Sequence, residues 1–503
     1  MTTISEGVLD FKTIERNLFD TMCRVACEEL AKILGWFDLS IKGVRDKDEY
    51  RLKDNRTTTV KTIFGEVKFS RGYYKKRTGG YTFLLDEALG IFGDCGLVSK
   101  NMIEHIVIEC TEKSFRNAAL GVSNNTGQSI SGMGAWNVVQ QYGQAFEQQE
   151  LSLQRLYDSG STGHLSNVST KVLFEEFDDV WISRQQETRR KKDEVLAGKK
   201  KQPKIGKKPM HVGVAYTGWE QIGNGRYRTT DKIAYASFES SSAFITAFET
   251  LLHNVFDMDG VERRITNGDG ESWIRTSSET KDTILQLDTY HRNERVVKSV
   301  SEKSDKREIF KAIRAKDVDK AISAISELVF EAEDEKTIKK LIDLYNYFNN
   351  NRDILLTWSE RGIELPKPPD GITYRNMGVM ESNNNCLITQ RMKHRKGSWT
   401  KSGANNMAKI LCLRNTIGFD SILGNLPEPE ESDYWVEPLS ASKSPEYDGK
   451  GYGADWLYAQ MPFEQTFKTH GREAIRNMLR MKPLTEVPFI LAPGVGKSCF
   501  PNN

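Results

Sequence analysis

The spacing of apolar and polar positions changes period several times along the chain, and each change predicts a different element. Phe11, Ile14, Leu18, Met22, Val25, Leu30 and Leu34 recur at near-helical spacing with charged residues between them, which predicts an amphipathic helix over 11–35. Alternation replaces that spacing over 57–75. There Val67, Phe69, Arg71 and Tyr73 share one face of a hairpin, Gly65 supplies a turn, and Lys75, Lys76 and Arg77 make its end basic. Residues 98–143 return to helical spacing. Within them, a helix over Ser114–Leu120, a turn over Gly121–Gln128 and a second helix capped by Ser129 or Ser131 and reaching Tyr142 fit a helix-turn-helix, or any helical hairpin. In a helix-turn-helix the second helix enters the major groove, so Asn137, Gln140 and Gln141 are candidates for nucleic-acid contact.

From Lys171 the pattern is strand-like, dense in β-branched and aromatic residues through Phe174, Phe177, Val180, Trp181 and Ile182. Its middle holds Glu175, Glu176, Asp178 and Asp179. Acids are depleted in strands and are costly to bury unless they are paired or bound to metal. The run is therefore either a charged edge strand or the carboxylate-bearing strand of a nuclease-like sheet. Alternation puts Asp178 on the face of Glu176 and Asp179 on the face of Glu175. Further strands are predicted at His211–Tyr216, Tyr227–Glu239, Arg263–Thr266 and Thr283–Leu287, with a helix at Ala243–Phe256. Three strands, a helix and two more strands make a mixed α/β order. Residues 292–366 are helical in pattern, with Ile309, Ile313, Ile322, Ile325, Leu328 and Val329 roughly in register, and Pro366, Pro368 and Pro369 close the block. Residues 377–413 read as helix, basic loop, helix, and the tail is loop-rich with no assigned fold.

These shifts divide the chain into an N-terminal helix and hairpin region (1–95), a helical region (96–165), a first α/β part (166–291), a helical insertion (292–370), a second α/β part (371–415) and a tail (416–503). A length of 503 residues calls for several domains. No apolar run is long enough for a transmembrane helix, and Met1–Glu6 does not open like a signal peptide, so a cytoplasmic protein is expected. The seven cysteines show no paired spacing that makes a zinc set, which suits a reducing compartment. Net charge is only +2, but residues 189–208 carry ten Lys or Arg against Asp193 and Glu194, a block suited to phosphates.

Several short patterns carry candidate chemistry. Asn267-Gly268-Asp269-Gly270 ends a predicted strand, and the glycines let a ligand or metal approach Asp269. Asp288 and His291 stand three apart at the head of the helical block. Glu381 lies on a predicted helix. Beyond it, Arg391, Lys393, His394, Arg395, Lys396 and Trp399 combine cations with an aromatic ring, as nucleic-acid strands require. Gly494-Val495-Gly496-Lys497-Ser498 imitates a phosphate loop, but Leu491 replaces its first glycine.

Asp178, Asp269 and Glu381, in strand, strand end and helix, resemble the acidic triad of DDE transposases with a ribonuclease-H-like core. The helical block between the second Asp and the Glu is similar to the insertion of Mutator-like transposases. The chain resembles the bacterial ISLre-type insertion-sequence transposases. The resemblance is carried by Thr62-Ile63-Phe64-Gly65-Glu66-Val67, Leu84-Leu85-Asp86-Glu87-Ala88-Leu89-Gly90, Gly268-Asp269-Gly270, Leu287-Asp288-Thr289-Tyr290-His291 and Met377-Gly378-Val379-Met380-Glu381-Ser382-Asn383. That family tends to have Glu-Ala-Asp-Gly-Val around its first Asp, where this chain has Glu176-Phe177-Asp178-Asp179-Val180. The match puts the first ligand at Asp178 and leaves Asp179 as the alternative.

The resemblance implies a ribonuclease-H-like mixed sheet in which Asp178, Asp269 and Glu381 hold two Mg²⁺, with Mn²⁺ able to substitute, and Asp288 and His291 are accessory. It implies cleavage at an element's ends and 3′-OH strand transfer. The partners are then double-stranded terminal inverted repeats and target DNA, and the protein is at least a dimer at the bacterial nucleoid. The competing readings are a transposase-derived DNA-binding protein without catalysis and a ribonuclease-H-like nuclease.

Overall fold

The computed structural model describes residues 10–91, 98–160, 168–187, 205–279 and 283–419. Most of the basic block at 189–208, nearly all of the tail and the loop-like motif at 494–498 lie outside the described residues. The described residues form two compact units, one up to Val138 and one from Val139 onward.

In the first unit, α1 (Phe11–Val44) begins at Asp10, whose carboxylate accepts the Thr13 amide. It runs well past the predicted end. β1 (Tyr50–Thr62), β2 (Gly65–Lys76) and β3 (Tyr81–Thr82) form an antiparallel sheet. The inward positions Val60, Val67 and Phe69 pack with Leu34 of α1 and Leu85 of α2 (Leu84–Leu89). Then come α3 (Lys100–Glu112), α4 (Phe115–Asn125) and the start of α5 (Gly132–Asp158). Ser114 caps α4, and Ser131 accepts the Gly134 amide at the head of α5. The turn falls at 126–131, later than expected, and α5 continues beyond Tyr142.

The second unit is built on β4 (Val172–Arg184), β5 (Gly206–Tyr216), β6 (Gly218–Gly223), β7 (Arg226–Thr230) and β8 (Ile233–Ser237). It continues with α6 (Ser241–Val255), β9 (Arg263–Gly268), α7 (Ser272–Glu279) and β10 (Ile284–Leu287). The main sheet has the order β10-β9-β4-β5-β8. β9 and β10 run parallel to β4, whereas β5 is antiparallel to both β4 and β8. β4 is thus central, which overturns the edge-strand alternative: Glu175 and Glu176 are fully buried. The strand predicted over 227–239 is in fact two. Asp231 adopts a left-handed conformation (φ 49°) and accepts the Thr217 hydroxyl, so β7 pairs with β6 while β8 joins the main sheet.

Four helices follow β10: α8 (Thr289–Ser299), α9 (Lys303–Arg314), α10 (Val318–Glu331) and α11 (Glu335–Asn350). They bury Ile309, Ile313, Ile325, Leu341, Leu344 and Phe348 in a core of their own that reaches Leu287. β11 (Ile372–Thr373) returns beside β6. The chain then forms α12 (Met380–Asn384), a π-helical segment over Asn385–Lys393, and α13 (Lys401–Arg414). Among the described residues no helix is long and apolar enough to cross a membrane.

Candidate acidic active site

β4 carries two faces into the site region. Phe177 points into an aromatic core with Phe244, Phe248 and Trp273. Its bulk fits because Gly213 lies directly opposite on β5; a Cβ there would come within 2.8 Å of the Phe177 ring. Asp179 leaves by the same face. Its Oδ1 lies 2.6 Å from Nδ1 of His211, its cross-strand partner. Asp178 takes the other face. Its Oδ1 accepts the Asp179 amide, and its Oδ2 accepts Asn384 Nδ2 at 2.6 Å.

On that face the structure brings Asp178, Glu381 and His291 together, with one ligating atom of each within 4.8 Å of the others. Nε2 of His291 stands 3.8 Å from Asp178 Oδ2 and 3.7 Å from Glu381 Oε1. Asp269 follows the end of β9, the parallel neighbour of β4. Its Oδ1 accepts the Glu271 amide, and its carbonyl oxygen accepts the Tyr347 hydroxyl of α11 at 2.9 Å. Gly270 adopts φ 92°, and a Cβ there would meet the Asn351 side chain at 2.8 Å, so the glycine lets α11 close against this loop.

The charges of these groups act on one another. Asp178, then Asp288 and Asp269, raise the His291 pKa to about 9 against its burial, so the imidazole is a cation at neutral pH. Burial raises the Asp269 pKa, and the Asp178 carboxylate adds to the effect. Burial also raises Glu381, with His291 opposing and Asp178 reinforcing. Asp178 and Glu381 thus converge on a single imidazolium, and Asp269, which is not within the same cluster, acts on it through its charge; the excess of negative charge is one that a divalent cation would neutralise. All three acids offer hard oxygen donors, the ligand type that Mg²⁺ prefers.

The other predicted residues separate. Asp288 is a helix cap: Oδ1 accepts the amides of Tyr290 and His291, and the buried carboxylate acts on His291 through its charge without joining the cluster of Asp178, Glu381 and His291. Lys393, His394, Arg395 and Lys396 are exposed. Arg391 is buried with its guanidinium 5.3 Å from the Trp399 ring centroid, and Trp399 is pinned by backbone bonds to Ser183 and Gln185. The half-buried Trp399 thus ties the segment to β4 through its backbone, with the buried Arg391 against its ring. Asn137 and Gln141 are buried, and Gln140 accepts Asn406 Nδ2, so these amides serve packing in this fold and not an exposed recognition face. Sequence reasoning missed Asn384 and His211. The Asn383-Asn384-Asn385 run just after Glu381 was the available signal for the first. His211 was legible only once its pairing opposite Asp179 was known.

The model of the Uncharacterised protein family (UPF0236) matches residues 4–421. A UPF0236 protein of Caldanaerobacter subterraneus subsp. tengcongensis is 24% identical over 403 residues, covering 78% of this chain and 75% of its own, and its name joins eleven locus tags of one genome. The UPF0236 protein in the vanSb 3′ region of Streptococcus gallolyticus is 25% identical over 421 residues, covering 81% and 83%. A chain of the pre-cleavage Mos1 transpososome is 11% identical and covers 50% of this chain and 77% of that one, with a TM-score of 0.11, too low to carry an argument. The chain belongs to the UPF0236 family.

Proposed function

We propose that the chain is a DDE-type DNA transposase of the ISLre kind, acting on the ends of an insertion sequence with Asp178, Asp269 and Glu381 as its catalytic acids. The observation that carries this reading is the convergence of Asp178 and Glu381 from distant parts of the chain, with Asp269 at the end of the adjacent parallel strand. The strand order supports a ribonuclease-H-like core: three antiparallel strands, then two parallel to the first and on its other side. Eleven loci for one relative within a single genome are what a mobile element leaves behind.

Asp178, Asp269 and Glu381 would hold two Mg²⁺, which when bound supply activation of the attacking oxygen and stabilisation of the leaving one. The chain's own groups do the rest. Asn384 holds one oxygen of Asp178, and the Glu271 amide and Tyr347 hydroxyl hold the Asp269 loop, so the acids are oriented before DNA arrives. The exposed Lys393–Lys396 loop offers cations to the DNA backbone. Water would first free a 3′-OH at the element's end, and that 3′-OH would then attack a target phosphodiester. Synapsis of two ends requires at least a dimer, working on chromosomal DNA in the bacterial cytoplasm.

The test uses the full chain, terminal-repeat DNA and Mg²⁺. Nicking and end joining are expected from the wild type. Asp178→Ala, Asp269→Ala and Glu381→Ala should each abolish joining while leaving repeat binding largely intact. Joining by Asp178→Ala would refute the assignment. Binding without Mg²⁺-dependent nicking by the wild type would favour the non-catalytic descendant, and a preference for hybrid or branched substrates would favour a nuclease.

A further inference from the structure

We propose that Glu176, which is no member of the acidic group, is the positioning residue that sets Glu381 against Asp178. Its carboxylate is fully buried, and its partners are N–H and O–H donors, with no ion pair to it among the described residues. Oε1 accepts the Tyr216 hydroxyl at 2.6 Å and the amides of Gly378 and Val379 at 3.2 Å each. Oε2 accepts the Met380 amide at 3.2 Å and Asn267 Nδ2 at 3.1 Å. An uncompensated buried carboxylate would be very costly, so a cage of five donors around it marks a position built for the charge. Three of those donors are the consecutive amides that lead into α12, the helix of Glu381. They can converge on one carboxylate because Gly378 adopts φ 135°, a conformation side-chain-bearing residues rarely take.

The clamp extends further. Asn267 Nδ2 also donates to Asp288 Oδ2 at 2.7 Å, and Asn267 Oδ1 accepts Gln286 Nε2 at 3.0 Å, which fixes the orientation of the amide. Asp288 in turn caps the helix of His291. Each member of this buried layer stands two or three positions before a residue of the site: Glu176 before Asp178, Asn267 before Asp269, Asp288 before His291, Gly378 before Glu381. The layer repeats the site one step deeper and ties β4, β9, α8 and α12 together at the points where their site residues leave them. A shift in the Glu176 cage therefore moves Glu381 relative to Asp178 without touching either.

The effect on metal binding and on DNA chemistry rests on the transposase reading; the clamp itself does not. The test is Glu176→Gln in the full chain, which keeps the shape, removes the charge and sets an NH₂ among donors. Circular dichroism and thermal melting check the fold. Hydrogen exchange at Gly378, Val379 and Met380 should accelerate about tenfold or more, while amides of Leu341–Phe348 in α11 stay unchanged. Mn²⁺ affinity, read by electron paramagnetic resonance, should fall about 10–100-fold, the range for lost support of a metal ligand. End joining should lose kcat with KM for DNA unchanged. Wild-type exchange at 378–380 in a folded Glu176→Gln protein overturns the proposal. Should that variant not fold, Tyr216→Phe, which removes one donor and keeps the charge, should speed the same amides by a smaller factor, and no change there is equally fatal. If the wild type binds no Mn²⁺, the transposase reading fails, and the exchange result still decides the clamp.

Discussion

Asp178 and Asp179 are neighbours in sequence with different surroundings, because successive side chains of a strand leave on opposite faces. Asp178 looks toward Glu381 and His291, whereas Asp179 is held by His211 and stands beside the aromatic core. Substitution should separate them. Asp178→Asn is expected to lose most Mn²⁺ binding and Asp179→Asn to keep most of it, since the Asp179 carboxylate leaves by the other face of β4 and bonds His211; a titration showing equal losses would shift the ligand to Asp179. His291 makes a second prediction, about pH. Its pKa is about 9 in the fold against an ordinary 6.5, so the folded protein binds the proton more tightly than the unfolded chain. That contribution to stability is complete below 6.5 and is lost as pH rises through about 9. Urea unfolding without divalent ions should show stability falling across this window. The fall should be smaller in His291→Gln; an identical pH profile would mean that the imidazole is not paired as described.

At the scale of elements, β4 and β5 act as one unit. The two residues that depart from the resembled motif each meet an accommodating partner on β5: Phe177 faces Gly213, and Asp179 faces His211. Gly213→Ala should therefore overpack the core by driving a methyl into the Phe177 ring, costing about 1–3 kcal/mol and lowering Tm. Phe177→Leu in that background should recover part of the loss; a simple sum of two losses would deny the pairing. The same elements show what was legible in advance. β4, β5 and the helices α9–α11 were readable because each buries a face with a plain period of two or near four. The break at Asp231 was not, since strand-favouring residues stand on both sides, Tyr227, Thr229 and Thr230 before it and Ile233 and Tyr235 after it, and a left-handed backbone and a Thr217 bond divide them. The three acids were proposed from order and resemblance, and of them the structure brings Asp178 and Glu381 together. Asn384, the Glu176 cage and the capping role of Asp288 depend on contacts between residues far apart in the chain, which no local pattern encodes.

For the whole molecule, a net charge of +2 means that, on the proposed transposase function, attraction to DNA would have to come from where cations cluster and not from overall charge. Among the described residues, the Lys393–Lys396 loop is such a cluster, exposed and joined directly to the segment that carries Glu381 and Asn384. At its two ends, Arg391 is buried against the Trp399 ring and the half-buried Trp399 is tied through its backbone to Ser183 of β4. The two sets should therefore fail differently. Each phosphate neutralised adds about 0.9 to the slope of log affinity against log salt, so Lys393→Ala, Arg395→Ala and Lys396→Ala together should reduce that slope by about 2 to 3 if all three meet phosphates. Fluorescence anisotropy with a duplex at several salt concentrations measures it. Trp399→Ala should instead lower Tm, and Asp178→Ala should leave the slope as in the wild type, because that carboxylate neutralises no phosphate. An unchanged slope in the triple variant would move the DNA contact elsewhere on the chain while leaving the acidic site untouched as a hypothesis.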